Sequence, residues 1–286
     1  MPKVRAVVKR IVPPGLHDFV RQIERGATEW HTQRSLTHIR SLAMASKPGA
    51  VLPVGSYALR VNDGPNFYMQ YKDIFVHRSY HFQALRQDPV ILDCGSNIGM
   101  SVLYYKHVYP EARVTGFEPD PVVWPYLQEN MERNSLTGVE LVQAAISGRE
   151  GRLAFCSDGK YASYLLPEQS AEVPEGWTKR MVPCVRLRDS LTRAIDFMKI
   201  NVEGAEWEAL ADSEDRLRQV REMVIEYHHL PNLPRTLHDI LALLHRQGFE
   251  YLVNDFDSET NGGVAPPFHL TPATCYFLLV YAKRID

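Results

Sequence analysis

Residues 90–101 read VILDCGSNIGMS, from Val90 to Ser101. Three apolar positions lead to an acid, Asp93, and two glycines, Gly95 and Gly99, follow. An apolar run of this length bounded by glycine predicts a buried strand, and the glycine turn predicts a helix directly after it. In a doubly wound sheet, ligands bind beyond the carboxyl ends of the strands. Gly95 is expected to let a ligand approach the backbone, and Gly99 to let the next helix pack closely. The spacing D-x-G-x-x-x-G is not the GxGxxG of dinucleotide sites. An acid inside the loop disfavours a pyrophosphate and favours a ligand carrying an ammonium or sulfonium.

Outward from this stretch, strands and helices alternate. RVTGFEP (113–119) reads as a strand and PVVWPYLQENMERN (121–134) as a helix with Pro125 in its first turns. VELVQAAIS (139–147) reads as a third strand, DFMKINVEG (196–204) as a fourth and REMVIEYHH (221–229) as a fifth. RLAFC and MVPCVRL read as peripheral strands. TLHDILALLHRQGF (236–249) carries Leu237, Ile240, Leu241 and Leu244 on one helical face and ends at Gly248. FEYLVND and CYFLLVYAKR close the chain as two strands with no helix between them, allowing an antiparallel pair. The pattern predicts an α/β, Rossmann-like sheet of seven strands with its last pair antiparallel. Residues 1–85 read as an accessory region: mainly helical to about residue 50, then two short strands around the turn NDGP (62–65). Residues 86–286 form the main domain.

Two further strand ends carry chemistry. Glu118 stands 25 residues after Asp93, where a carboxylate can accept hydrogen bonds from both hydroxyls of a ribose. Ala144 and Ala145 leave room for a flat base. Each has an ordinary reading: Asp93 as a helix cap, Glu118 as a solvated strand end. At successive strand ends they spell amino acid, ribose and adenine, and the ligand expected is S-adenosyl-L-methionine. Asn97 in the loop and Pro119 after Glu118 complete this local set.

VILDCGSNIGMSVLYY, VTGFEPDP, VQAAIS and IDFMKINVEGAEWEAL together resemble the FkbM family of S-adenosylmethionine-dependent methyltransferases, over about residues 80–248. The resemblance implies the class I methyltransferase variant of the Rossmann fold and a methyltransferase domain over residues 86–286. It implies methyl transfer, largely to hydroxyls of sugars or natural products. It also implies that Tyr80, just before the first strand, approaches the cofactor. Asn201 departs from the aspartate usual in the family, which questions metal dependence. Arg188 stands where an acid is common, a peripheral change. GKYASYLL (159–166) is expected to form a lid loop whose Ser163 touches the cofactor's carboxylate.

A hydroxyl is a poor nucleophile while protonated, so a general base is expected near the fourth and fifth strand ends. The candidates are Glu203 and Asn201 in KINVEGAE, and Glu226 and His228 in VIEYHHL. Glu206 reads as a first-turn helix charge. A histidine near its ordinary pKa is a natural base, and only one of His228 and His229 can face the site. Glu226, His228 and Glu203 have no recognised ligand spacing, so no metal site is expected. The loop FDSETNGGVAPPFHLTP (256–272) is expected to help shape the acceptor pocket.

Among 286 residues, 32 Lys and Arg against 34 Asp and Glu leave a formal charge of -2, which provides no basic field for nucleic acid. The basic residues Lys3, Arg5, Lys9 and Arg10 read as a solvated end. Four cysteines without CxxC spacing, Cys94, Cys156, Cys184 and Cys275, read as reduced buried thiols. With no apolar run long enough for a membrane span and no leader pattern, the expectation is a cytoplasmic enzyme. Its partner is a small-molecule or glycan acceptor, and self-association stays open. N-methylation and cofactor binding without methyl transfer are the alternatives. A dehydrogenase is disfavoured by the missing GxGxxG.

Overall fold

A computed structural model describes residues 36–159, 163–165, 173, 175–230, 234–255, 271 and 274–285. A helix over residues 36–45 (α1) precedes a hairpin of β1 (Val51–Val54) and β2 (Tyr57–Arg60). Helix α2 (Gly64–Tyr71) runs on into a π-helical turn, Lys72–Val76. The main domain then unfolds in order. β3 (Val90–Cys94), α3 (Met100–Val108), β4 (Arg113–Phe117), α4 (Trp124–Arg133) and β5 (Val139–Val142) come first. β6 (Ala145–Ser147), β7 (Gly151–Ser157), β8 (Ser163–Leu165), β9 (Thr178–Arg186) and α5 (Leu187–Ser190) follow. β10 (Ile195–Ile200), α6 (Glu206–Asp212), β11 (Val220–His229), α7 (Leu237–Arg246), β12 (Phe249–Asp255) and β13 (Tyr276–Arg284) complete it.

The main sheet has seven strands in the order β12-β13-β11-β10-β3-β4-β5. β13 runs antiparallel to β11 and β12, and the other pairs are parallel. The predicted antiparallel pair is therefore present, with β13 inserted beside β11. A second sheet, β6-β9-β7-β8, holds the peripheral strands.

Both faces of the main sheet are covered, and β3 is buried along its whole length. Ile91 faces one apolar cluster with Leu103, Phe197 and Val224. Val90, Leu92 and Cys94 face another with Leu210, Ile240 and Leu244. The first cluster also contains Leu52, Leu59, Phe67, Ile74 and Phe82, so the described accessory segment covers that face. Phe82 stacks on Phe197 with ring centres 4.4 Å apart. Two asparagines of α4 and its end tie the hairpin down: Asn130 Oδ1 accepts from Arg60 N at 2.6 Å and Asn134 Oδ1 from Ala58 N at 3.0 Å.

Two local readings change. NDGP is not a hairpin turn but a helix start. The Asp63 side chain accepts from Asn66 N at 2.8 Å, and Pro65 lies in the first turn of α2, where its missing N–H costs nothing. The hairpin bends earlier, between β1 and β2. VELVQAAIS is two strands: the chain leaves the main sheet after Val142 and pairs Ala145 with Cys184 in the second sheet. Cys94, Cys156 and Cys184 are buried free thiols, whereas Cys275 is exposed, because its strand begins only at Tyr276. Arg188 is peripheral as read, bound to Asp215 at 3.1 Å. The proposed N-terminal helix around residues 15–33 and the loop 256–272, apart from Thr271, lie outside the described residues. Among the described residues no helix is long and apolar enough to cross a membrane.

Candidate active site

The carboxyl ends of β3, β4, β10 and β11 open on one cavity of about 270 Å³. Its lining includes Tyr80, Gly95, Asn97, Glu118, Pro119, Ala144, Ala145, Ser163, Asn201, Glu203, Glu226 and His228. Two predicted residues, Asp93 and Gly99, lie outside that lining.

Asp93 is fully buried, within the strand rather than in the loop. It stands in register with Lys199 on β10. Its carboxylate accepts from Ser101 Oγ at 2.7 Å and lies 3.7 Å from Lys199 Nζ. Asp93 therefore stands away from the cavity lining, with its charge facing Lys199 inside the protein. Lys199, whose ammonium donates to Gly95 O at 2.6 Å, reaches the cavity in its place. Gly95 has φ +89°, and a Cβ there would lie 2.0 Å from the carbonyl oxygen of Asn201. Its small size serves the crossing of two chain segments. At Gly99, φ is +94° and a Cβ would meet Met131 of α4 at 2.5 Å, so close helix packing accounts for it.

Glu118 is 6% exposed. One oxygen accepts from Asn97 N and the other from Asp120 N, each at 2.8 Å. Burial pushes its pKa up to about 7 against the pull of these two N–H groups. Each oxygen keeps a lone pair for a hydroxyl. Asn97 holds φ +47°, in the left-handed region that asparagine tolerates.

At the other end stands Glu226 on β11, 4% exposed. The Tyr80 hydroxyl donates to its Oε1, and Asn201 Nδ2 donates to its Oε2 at 2.7 Å. Burial pushes its pKa up to about 8. Tyr80 thus lines the cavity beside Glu226, with Lys199 Nζ 5.4 Å from its ring centre. The contact seen for Tyr80 is the orientation of this carboxylate.

His228 and Glu226 share the cavity face of β11, as the alternation predicts, while His229 lies outside the lining against Tyr276. His228 is not near its ordinary pKa. Burial alone would lower it, but the carboxylates of Glu203 and Glu206 outweigh that and push it up to about 10. Its Nδ1 lies 2.8 Å from Glu206 Oε1 and its Nε2 3.4 Å from Glu203 Oε2. This placement favours His228 as a counter-ion of Glu206 and Glu203, beside its expected role as a base. Glu206 is more than a helix charge: it is 1% exposed and also accepts from Gly204 N at 3.0 Å. Glu203 carries φ +54°, an uncommon conformation for a side chain of its length, at the rim of the cavity. Among the described residues no group of three His, Cys, Asp or Glu side chains could hold a metal ion.

One wall was missed by sequence reading. Asn66, Met69, Gln70, Asp73 and Ile74 of α2 and its π turn all line the cavity. The available signal was Asp63 before Gly64-Pro65, a helix N-cap read as a turn. Ser157 and Phe277, also in the lining, carry no sequence signal of their own.

Residues 93–251 match the family described as the methyltransferase FkbM domain. The chain is 32% identical over 212 residues to the methyltransferase sdnD of Sordaria araneosa, covering 63% of this chain and 81% of that protein. It is 30% identical over 231 residues to the 31-O-demethyl-FK506 methyltransferase FkbM of Streptomyces tacrolimicus, covering 69% and 87%. It is 31% identical over 169 residues to the 2-O-methyltransferase NoeI of Sinorhizobium fredii, covering 53% and 68%. A matching family over more than half the chain and a cavity at the strand ends of a seven-stranded sheet agree: this chain belongs to the FkbM family of methyltransferases.

Proposed function

We propose that the chain is an S-adenosylmethionine-dependent O-methyltransferase acting on a hydroxyl of a sugar, glycan or natural product. The observation that carries this reading is the division of one cavity between two buried carboxylates, Glu118 and Glu226, set in different surroundings. Glu118, held by backbone N–H groups, suits ribose hydroxyls. Ala144 and Ala145, both nearly fully buried, suit the face of a base. Asn97 and Pro119 flank Glu118, and Ser163, suited to the cofactor's carboxylate, lines the same cavity. The unpartnered buried Nδ2 of Asn66 and Oδ1 of Asn201 also fit a polar ligand here. Two of the named relatives carry O-methyl or O-demethyl in their names, which supports oxygen as the acceptor atom.

S-adenosylmethionine, when bound, supplies an electrophilic methyl group. The work left to the protein is to orient the acceptor and take its proton. Glu226 is the base in this reading. Tyr80 and Asn201 aim its two oxygens, and each oxygen retains a lone pair for the acceptor hydroxyl. Burial makes the carboxylate more basic than usual, which suits a proton removed from an alcohol. Asn201, in place of an acid, donates to Glu226 where an aspartate would repel it. The imidazolium of His228, held between Glu203 and Glu206, adds positive charge beside the proton-accepting carboxylate.

The test is calorimetric titration with S-adenosylhomocysteine, followed by methyl transfer to a panel of hydroxylated acceptors. Binding with transfer to oxygen is expected. Binding with transfer only to amines would replace this reading by N-methylation, and binding without any transfer by a cofactor-binding role.

A further inference from the structure

We propose that Asn66, on the accessory helix α2, is a binding residue for the ribose of the cofactor, donating to a hydroxyl that Glu118 accepts from. This rests on the cofactor reading above.

The residues of α2 and its π turn that line the cavity, Asn66, Met69, Gln70, Asp73 and Ile74, recur at intervals of three and four. A helix stripe that faced a core would be apolar throughout. This one is mixed, as a wall that meets a polar ligand must be. Asn66 is 7% exposed, yet its side-chain Nδ2 has no hydrogen-bond partner. Buried amide donors are satisfied almost everywhere in folded proteins, so an orphan on a cavity wall marks the place of a ligand acceptor. The helix is not free to turn it away. The N–H of Asn66 is capped by Asp63 at 2.8 Å, and one turn on, Gln70 Nε2 donates to Asn97 Oδ1 at 3.0 Å.

These ties also say which part of the cavity Asn66 serves. The backbone N–H of Asn97 is the one that Glu118 holds. On the N-terminal side, Asn62 Nδ2 donates to Gly159 O at 3.3 Å. Gly159 N donates to Ser157 Oγ, and Ser157 in turn donates to Asp120, the other backbone partner of Glu118. Asn66 thus lies on a stretch of chain, from Asn62 to Gln70, braced at both ends to the neighbours of Glu118. Asp73, two turns further on, adds its charge to the field at Glu226. A sugar hydroxyl both donates and accepts. An ionised Glu118 can only accept, and the amide of Asn66 supplies the missing donor.

The full chain is titrated with S-adenosylhomocysteine and with its 2′-deoxy and 3′-deoxy forms, as wild type, Asn66→Ala and Asn66→Asp. Asn66→Ala is expected to weaken the parent ligand about tenfold. Asn66→Asp, which puts a second carboxylate beside the first, should weaken it further. The Asn66→Ala loss should shrink to within about twofold for at least one deoxy form. Thermal unfolding of ligand-free Asn66→Ala should be unchanged or raised, because an unsatisfied buried donor has been removed. Unchanged affinity in Asn66→Ala overturns the proposal. So does an equal loss on all three ligands, or a fall in ligand-free melting temperature that accounts for the weaker binding. A wild-type chain that binds none of them overturns the cofactor reading and this assignment together.

Discussion

Glu118 and Glu226 are both buried glutamates at strand ends of one cavity, and they are built in opposite ways. Glu118 is held by backbone N–H groups from its own turn and from the neighbouring loop. Glu226 is held by side chains, Tyr80 and Asn201, that lie 146 and 25 residues away in sequence. Backbone donors come with any sequence that makes the turn, so the first site depends on chain path. Side-chain donors depend on residue identity and on packing between distant segments, so the second can be retuned one residue at a time. A cofactor common to many enzymes suits the first construction and a varied acceptor suits the second.

The comparison breaks first at Glu226. Glu226→Gln is expected to lower turnover by about 10²–10⁴-fold, the usual range for a general base, with S-adenosylhomocysteine affinity within about twofold. Near wild-type turnover in a radiolabelled methyl-transfer assay would remove it as the base. Next comes His228→Ala, which strips the cation from two buried carboxylates. Breaking such a cluster costs about 3–5 kcal/mol, visible as a lower denaturation midpoint, and pairing the change with Glu206→Gln should restore part of it. An unaltered midpoint would mean that His228 is not the counter-ion of Glu206.

The cofactor end is probed by Glu118→Ala, which should weaken S-adenosylhomocysteine about a hundredfold, as expected for two lost hydrogen bonds to a charged group. Affinity within threefold of wild type by calorimetry would end the ribose assignment. The smallest effect sharpens the contrast rather than breaking it. Glu226 binds its proton up to about pH 8, so the basic form grows as pH rises through that value. Turnover at saturating substrate should climb about tenfold between pH 7 and pH 9. Cofactor affinity should respond lower on the scale, near the value of about 7 held by Glu118. A flat turnover profile across this range would argue against Glu226.

The same contrast explains what was legible beforehand. Glu118, Asn97, Pro119, Ala144 and Ala145 were found from strand–turn patterns a few residues long, and all line the cavity. The same local pattern marks Asp93, which lies within β3 and outside the lining. Its register opposite Lys199 is a property of two strands about a hundred residues apart, invisible in either one. Alternation places His228 on the cavity face, but its protonation depends on Glu203 in the β10–α6 turn and Glu206 at the start of α6. The wall formed by α2 was lost to a four-residue ambiguity, since Asp-Gly-Pro serves turns and helix starts alike.

The alternation of strands and helices from β3 to β5, the helix α7, the antiparallel final pair and the turns after β3 and β4 are legible in the sequence alone. Periodicity, glycine and capping act over one or two turns of chain. The partners of Asp93, the charge on His228, the grip of Tyr80 on Glu226 and the orphan amide of Asn66 were decided only by the tertiary structure. Each depends on desolvation and on neighbours brought from distant segments, and electrostatic energy in a buried site is set by those neighbours rather than by the residue that carries the charge.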